Sequence, residues 1–235
     1  MFDSTIFFDS IFFTKSQSEL DYMKISAKYS VFILKALVKK FEVVVDKDTK
    51  ISNLGLSSSI KEMTDKQIFK DKFKEKYKGQ LDMSNYDEAN LVLAYDPICE
   101  SGHSFNYGFT GSSNDERLNQ SIITFKSSSK YKDINSCLIR TYMIDSDKKQ
   151  QNNYKIIQEA LEFMITLFKP EVKLSDIYSK VISFIEERNK DLIPLLSNTL
   201  GCGIGFEFSN YSLHDIPDLF SLSPLSTAHP LILQH

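Results

Sequence analysis

Arginine is scarce in this chain: of 28 basic residues only Arg117, Arg140 and Arg188 are arginines, and 31 acidic residues leave a formal net charge of −3. That balance argues against a protein whose main task is gripping nucleic acid, because neutralising phosphates needs clustered cations. The densest basic segment, Lys61 to Lys78, reads KEMTDKQIFKDKFKEKYK. Acids alternate with its lysines, so it reads as a solvated helical face. Eight Gly and six Pro exclude a fibrous or low-complexity protein. No apolar stretch has the length needed to cross a bilayer, so the expectation is a soluble protein with no membrane partner. The three cysteines, Cys99, Cys137 and Cys202, are widely spaced and form no CxxC pair, which points to reduced thiols in a cytosolic or nuclear setting. His103, His214, His229 and His235 fall in turns or in the tail without HExxH or HxH spacing, which excludes the common histidine metal motifs.

What is present suits a folded globular chain: 235 residues, 42% of them hydrophobic, enough for one large domain or two small ones. The opening MFDSTIFFDSIFFTK is interrupted by Asp3 and Asp9 and lacks the basic start and small-residue site of a secretory leader. It reads as a core strand over residues 1–15, or the remnant of one from an upstream lobe. Ser16 and Glu19 then have capping-box spacing. Leu20, Met23, Ala27, Val31, Leu34, Val38 and Phe41 recur at steps of three and four, predicting a long amphipathic helix. A charged helix is expected from about Ser58 to Lys78, broken by Gly79.

The middle changes character. NLVLAYDPI, SIITFK and CLIRTYMID are rich in β-branched and aromatic residues and read as antiparallel strands, separated by polar turns such as ESGHSFNYG and GSSNDERLN. Two amphipathic helices follow on either side of Pro170, one with Ile156, Ala160, Phe163, Met164 and Leu167 on a face. The other starts at the cap Ser175 and carries Ile177, Val181, Phe184 and Ile185. LGCGIGFEF reads as a glycine-punctuated strand ahead of a turn-rich tail. This order belongs to an α+β fold with helices on one face of a curved antiparallel sheet. Asp133 reads as a turn carboxylate, Arg140 as part of a buried ion pair, and the glycines of GCGIG as close backbone packing, since their spacing fits neither GxGxxG nor a P-loop.

Gly201, Cys202, Gly203, Ile204 and Gly205 spell GCGIG, which resembles the GHGIG motif of the pita-bread metallopeptidases of the methionine aminopeptidase, aminopeptidase P and creatinase type. SCLIRTYMID resembles their S-D-x-x-R-T signature, carried here by Ser136, Cys137, Arg140, Thr141 and Asp145. The resemblance places Cys137 and Cys202 where those enzymes keep a metal-binding Asp and His. It places Lys126, eleven residues before Cys137 and across a hairpin turn, at a second metal-binding Asp. Ser209 stands at a substrate-polarising His, and Ser223, ahead of Pro224, at a ligand Glu. A charged lysine has no lone pair to offer a metal, and a dinuclear site needs hard carboxylates. The resemblance therefore implies a pita-bread frame over residues 16–235, cut short at its C-terminal end, with no cofactor and no catalysis.

The stretch from Tyr95 to Tyr154 and the segment KDLIPLLSNTLGCGIGFEF further resemble the large-subunit family of FACT, the nuclear histone chaperone. That likeness implies a non-catalytic chromatin module that reorganises nucleosomes during transcription, replication and repair. Its implied partners are core histones, held weakly, and the smaller FACT subunit in the full complex, with no strong direct DNA binding. Two other readings stay open: a divergent metallopeptidase with a metal site rebuilt around Cys137 and Cys202, and a decayed chain with a scaffold role.

Overall fold

The computed structural model describes residues 15–102, 105–106, 111–169, 172–196, 200–205 and 231–233. They fall into two units, Gln17–Asp145, and Ser146–His235 together with Met1–Ser16. Residues 1–14 of the strand expected over 1–15, the tail from 206 to 230 with His214 and His229, and His103 and His235 lie outside the described residues.

In the first unit the expected long helix is α1, Gln17–Asp46. Its buried face keeps Met23, Leu34 and Phe41 of the expected stripe but is shifted to include Tyr29, Ile33, Leu37 and Val44, whereas Ala27 is exposed. The reason is Ser26 and Ser30, polar residues that face the sheet and bond to it. The single helix expected from Ser58 to Lys78 is two, α2 at Asn53–Thr64 and α3 at Gln67–Tyr77. Ser52 caps α2 by accepting from the Gly55 amide. At its other end the Thr64 hydroxyl donates back to the Lys61 carbonyl at 2.8 Å, and extended Lys66 redirects the chain. That redirection buries Phe69, Phe73 and Tyr77 against α1, with Phe73 5.0 Å from Tyr29 in an edge-on pair.

The sheet is built around β3, Ile122–Tyr131, and β4, Ile134–Met143, which form a ten-pair antiparallel hairpin. Lys132 and Asp133 turn the chain at φ 45° and 65°, the paired positive values of a tight hairpin turn. Asp133 is thus a turn carboxylate, 2.9 Å from Lys130 Nζ. Both strands run further into polar sequence than their apolar blocks suggest. NLVLAYDPI is not one strand: β1, Leu91–Leu93, and β2, Ile98–Ser101, lie in succession along the other edge of β3.

Side chains alternate across the sheet. Ile123, Phe125, Ser127, Ser129 and Tyr131 share the face that α1 covers, where Phe125 meets Phe41 at 5.6 Å. Ser127 donates to the Ser30 carbonyl at 2.8 Å and Ser129 to the Ser26 carbonyl at 2.7 Å. Thr124, Lys126 and Ser128 occupy the opposite face.

In the second unit, Asp147 and Gln150 form a capping box at the start of α4, Lys148–Leu167. α5 spans Leu174–Asn189 and its cap position is Lys173, without a side-chain bond, so Ser175 is not the cap but lies in the first turn. Ile156, Ala160 and Met164 of α4 form a core with Ile177, Val181 and Ile185 of α5. β5, Gly201–Gly203, pairs antiparallel with β6, Leu231–Leu233. Among the described residues no helix is long and apolar enough to cross a membrane.

Candidate functional site

The hairpin register determines which of the expected site residues meet. Lys126 stands opposite Ile139, and Ser128 opposite Cys137. Lys126 and Cys137 are therefore diagonal neighbours on the sheet face away from α1. On the other edge Ile98 stands opposite Lys126 and Glu100 opposite Thr124, which brings Glu100 onto this same face.

There the Lys126 ammonium lies 3.0 Å from Glu100 Oε2, with the two side chains 2% and 8% exposed. The pair is held by charge rather than by a directed bond, since that oxygen accepts no hydrogen bond among the described residues. Lys126 Nζ also donates to the Asn106 carbonyl. A buried lysine of this kind persists only when a counter-charge and a hydrogen-bond acceptor compensate its lost hydration. Beside it, Cys137 Sγ is 2.9 Å from the Tyr95 hydroxyl. Burial pushes the Cys137 thiol up to about 11, against the opposing pull of the Tyr95 hydroxyl and the Lys126 charge. Burial likewise raises the Tyr95 phenol far above its ordinary range, and the neighbouring Cys137 adds to that. Both groups are protonated at neutral pH, so this corner offers no thiolate.

The face thus holds a buried cation and its carboxylate side by side. A thiol coordinates zinc as thiolate, and Cys137 is tuned the opposite way. Among the described residues no group of three His, Cys, Asp or Glu is arranged to hold a metal ion.

The remaining expected residues are in the second unit or outside the description. Cys202 is the middle residue of β5, opposite Ile232, flanked by Gly201 and Gly203. Gly205 is where absence of a side chain matters: a Cβ there would lie 2.5 Å from Lys15 Cε. Ser209 and Ser223 lie outside the described residues. Arg140, in β4 of the first unit, is half-buried, stands opposite Phe125 and donates to the Ile139 carbonyl at 2.8 Å; the expected buried ion pair is not formed among the described residues. Sequence reasoning missed Glu100, Tyr95 and Asn106. The alternation Ile98, Glu100 along a strand was the available signal, hidden because Glu100 opens the polar run read as a turn.

The profile of metallopeptidase family M24 matches residues 23–229. FACT complex subunit SPT16 of Zea mays is 32% identical over 216 residues, 90% of this chain and 19% of that protein. The Dictyostelium discoideum subunit of the same name is 28% identical over 88% of this chain. This chain therefore spans about a fifth of the length of those relatives. Among solved structures, the N-terminal domain of SPT16 from chickpea superposes with a TM-score of 0.77 at 27% identity, over 92% of this chain and 49% of that one. The Eremothecium gossypii domain reaches 0.86 at 22% identity, over 93% and 51%. X-Pro aminopeptidase from Thermotoga maritima gives 0.59 at 17%, over 93% and 52%, a likeness of fold. With its sheet, hairpin register and glycine strand in place, and the family profile matched across most of its length, the chain belongs to metallopeptidase family M24.

Proposed function

We propose that this chain is a non-catalytic interaction module of a FACT-type histone chaperone, working on chromatin in the nucleus as nucleosomes are taken apart and rebuilt during transcription, replication and repair. The observation that carries the reading is the buried Lys126–Glu100 pair, which fills a former ligand position with a fixed positive charge. The likeness to SPT16 subunits supports the chromatin context. In this reading core histones are bound weakly through an extended basic segment, and the smaller FACT subunit is a partner in the complete assembly. Affinity for so small a contact lies in roughly the micromolar range or weaker. Duplex DNA is bound more weakly still, because a net charge of −3 provides few counterions to release.

Titrating labelled core histones and a labelled duplex against the purified chain at two salt concentrations tests this. Histone binding that weakens with salt and exceeds DNA binding supports it, and DNA binding tighter than histone binding at the higher salt rejects it. The competing metallopeptidase reading requires Cys137 as a thiolate beside the Lys126 ammonium, and the burial that raises the thiol weighs against it.

A further inference from the structure

The charge of this chain is unevenly distributed. Between Gln17 and Lys78, the helical part of the first unit, fourteen lysines face nine acidic residues, a net of +5 against −3 for the whole. Four ammonium groups near α3 have a common arrangement. Lys28 Nζ sits 5.8 Å from the ring centre of Tyr77, and Lys76 Nζ lies 5.7 Å from that ring and 5.6 Å from Phe32. Lys74 Nζ is 5.8 Å from Tyr86. Tyr86 stacks on Tyr131 at 5.7 Å, and Lys132 Nζ lies 5.8 Å from Tyr131 and 4.7 Å from Tyr22.

Lys24, Lys61 and Lys78 each lie beside a carboxylate, those of Asp21, Asp96 and Glu75. Among the described residues, Lys28, Lys74, Lys76 and Lys132 have none. The nearby acids are engaged elsewhere: Asp71 and Glu88 accept from Gln67, and Asp87 accepts from Ala89 and Asn90. Aromatic faces position an ammonium without neutralising its charge, so all four remain available to an anion while losing some of their freedom in advance.

We propose that this lysine–aromatic face of α1, α3 and the β3–β4 turn is a docking surface for an acidic peptide segment. The interleaved Asp71, Glu75, Asp87 and Glu88 interrupt the positive field, which suits discrete carboxylates spaced along a chain and opposes the unbroken phosphate backbone of a duplex. The half-buried rings of Tyr22, Phe32 and Tyr86 accept the apolar residues of such a segment, while Tyr77 and Tyr131 are themselves buried. The surface selects the charge opposite to that of the histone segments of the proposed function, so either can fail without the other.

The test uses a labelled peptide of alternating Glu, Asp and Phe, a duplex as competitor, and core histones in parallel. Lys28, Lys74, Lys76 and Lys132 are replaced together by Gln in one variant and by Arg in another. The Gln variant is expected to bind the peptide about tenfold more weakly, the summed effect of four exposed charge contacts. The Arg variant is expected to bind as the original does, and histone binding is expected to be unchanged in both. Equal peptide binding by the Gln variant, no binding by the original protein at low salt, or a duplex that displaces the peptide at equal concentration would each overturn the assignment. Unchanged thermal unfolding of the Gln variant separates loss of charge from loss of fold.

Discussion

Ser30 of α1 joins its hydroxyl to both Ser129 of β3 and Ser136 of β4, each at 2.9 Å. All three are buried, at 1%, 0% and 4% exposure. Helix and sheet meet here through small polar side chains, and the contact depends on every hydroxyl having a partner. Replacing Ser30 by Ala leaves two buried hydroxyls short of a bond and is expected to cost about 1–2 kcal/mol. Replacing it by Leu must push α1 off the hairpin and is expected to cost more, about 3 kcal/mol. Urea unfolding of both variants measures this, and a Leu variant as stable as the Ala variant would show that the spacing is not fixed there.

The Lys126–Glu100 pair leads to a second expectation. Removing one member leaves a lone charge in a site closed to water, so Lys126→Met and Glu100→Gln are each expected to lose about 3–5 kcal/mol. Combining Lys126→Met with Glu100→Leu replaces the pair by apolar groups, and the double variant is expected to be more stable than either single one. Additive losses in denaturant unfolding would mean that the two charges do not act together.

How far the sequence foretold these features depended on whether polarity and burial agreed. Helix α1 was readable from its three-and-four spacing, and Met23, Leu34 and Phe41 are buried as that spacing implied, yet the face was read only in part, because Ser26 and Ser30 do work that periodicity assigns to apolar residues. β3 and β4 were seen only at Ile122–Lys126 and Cys137–Met143. The segment between, SSSKYKDINS, buries Ser127, Ser129 and Ser136 by bonding them to α1 and Ser128 by bonding it to the Ser136 carbonyl, which no hydropathy pattern shows. The family motifs led to Lys126 and Cys137, and the structure joins them to Glu100 and Tyr95 through strand register. Register depends on pairing across the sheet, so a residue masked by a polar run could not be placed from its own neighbours.

The turn between β3 and β4 has a conformation its residues tolerate without favouring. Asp133 has φ 65°, a value that glycine adopts freely. Asp133→Gly is expected to raise stability by a few tenths to about 1 kcal/mol, despite losing an exposed ion pair with Lys130 that contributes little. Asp133→Val, β-branched in a left-handed conformation, is expected to lower it by about 1–2 kcal/mol. Thermal unfolding of the two variants orders them, and a Val variant at or above the original would contradict the turn geometry.

Alkaline pH is expected to weaken the fold. Burial holds the Cys137 thiol protonated up to about 11 in the folded chain, whereas the unfolded thiol ionises near 9. The folded state binds the proton more tightly, so this contribution is complete below pH 9 and is lost as pH rises from there towards 11. Tyr29, Tyr86 and Tyr95, raised chiefly by burial, act in the same direction at higher pH. Cys137→Ala is expected to lessen the fall between pH 9 and 11, leaving the part due to Cys99, whose thiol burial also raises, and the tyrosine part that begins near pH 10. The same protonation makes Cys137 slow to react with iodoacetamide at pH 7.5 unless urea is present. Rapid native alkylation at Cys137, mapped by mass spectrometry, would refute this.

The metal question can be answered directly. The ammonium of Lys126 already supplies positive charge to this face, and Glu100 is committed to it, so a divalent ion would have to enter against a fixed cation with no thiolate in Cys137 to attract it. Protein purified with zinc, cobalt or manganese is expected to retain none in stoichiometric amount after dialysis and to cleave no X-Pro peptide. Introducing Lys126→Asp, Cys137→Asp, Cys202→His and Ser223→Glu, the ligands that the resemblance implies, is expected to leave cleavage absent, because by the same resemblance Ser209 stands where an imidazole would polarise the substrate. That variant places a carboxylate at 126 beside Glu100, and the like charges are expected to lower its stability in the absence of metal and to make added metal stabilising. Metal content by mass spectrometry, thermal unfolding with and without zinc, and a dipeptide assay distinguish these outcomes. One ion held per original chain, or turnover by the fourfold variant, would show that the enzyme frame survives in working order.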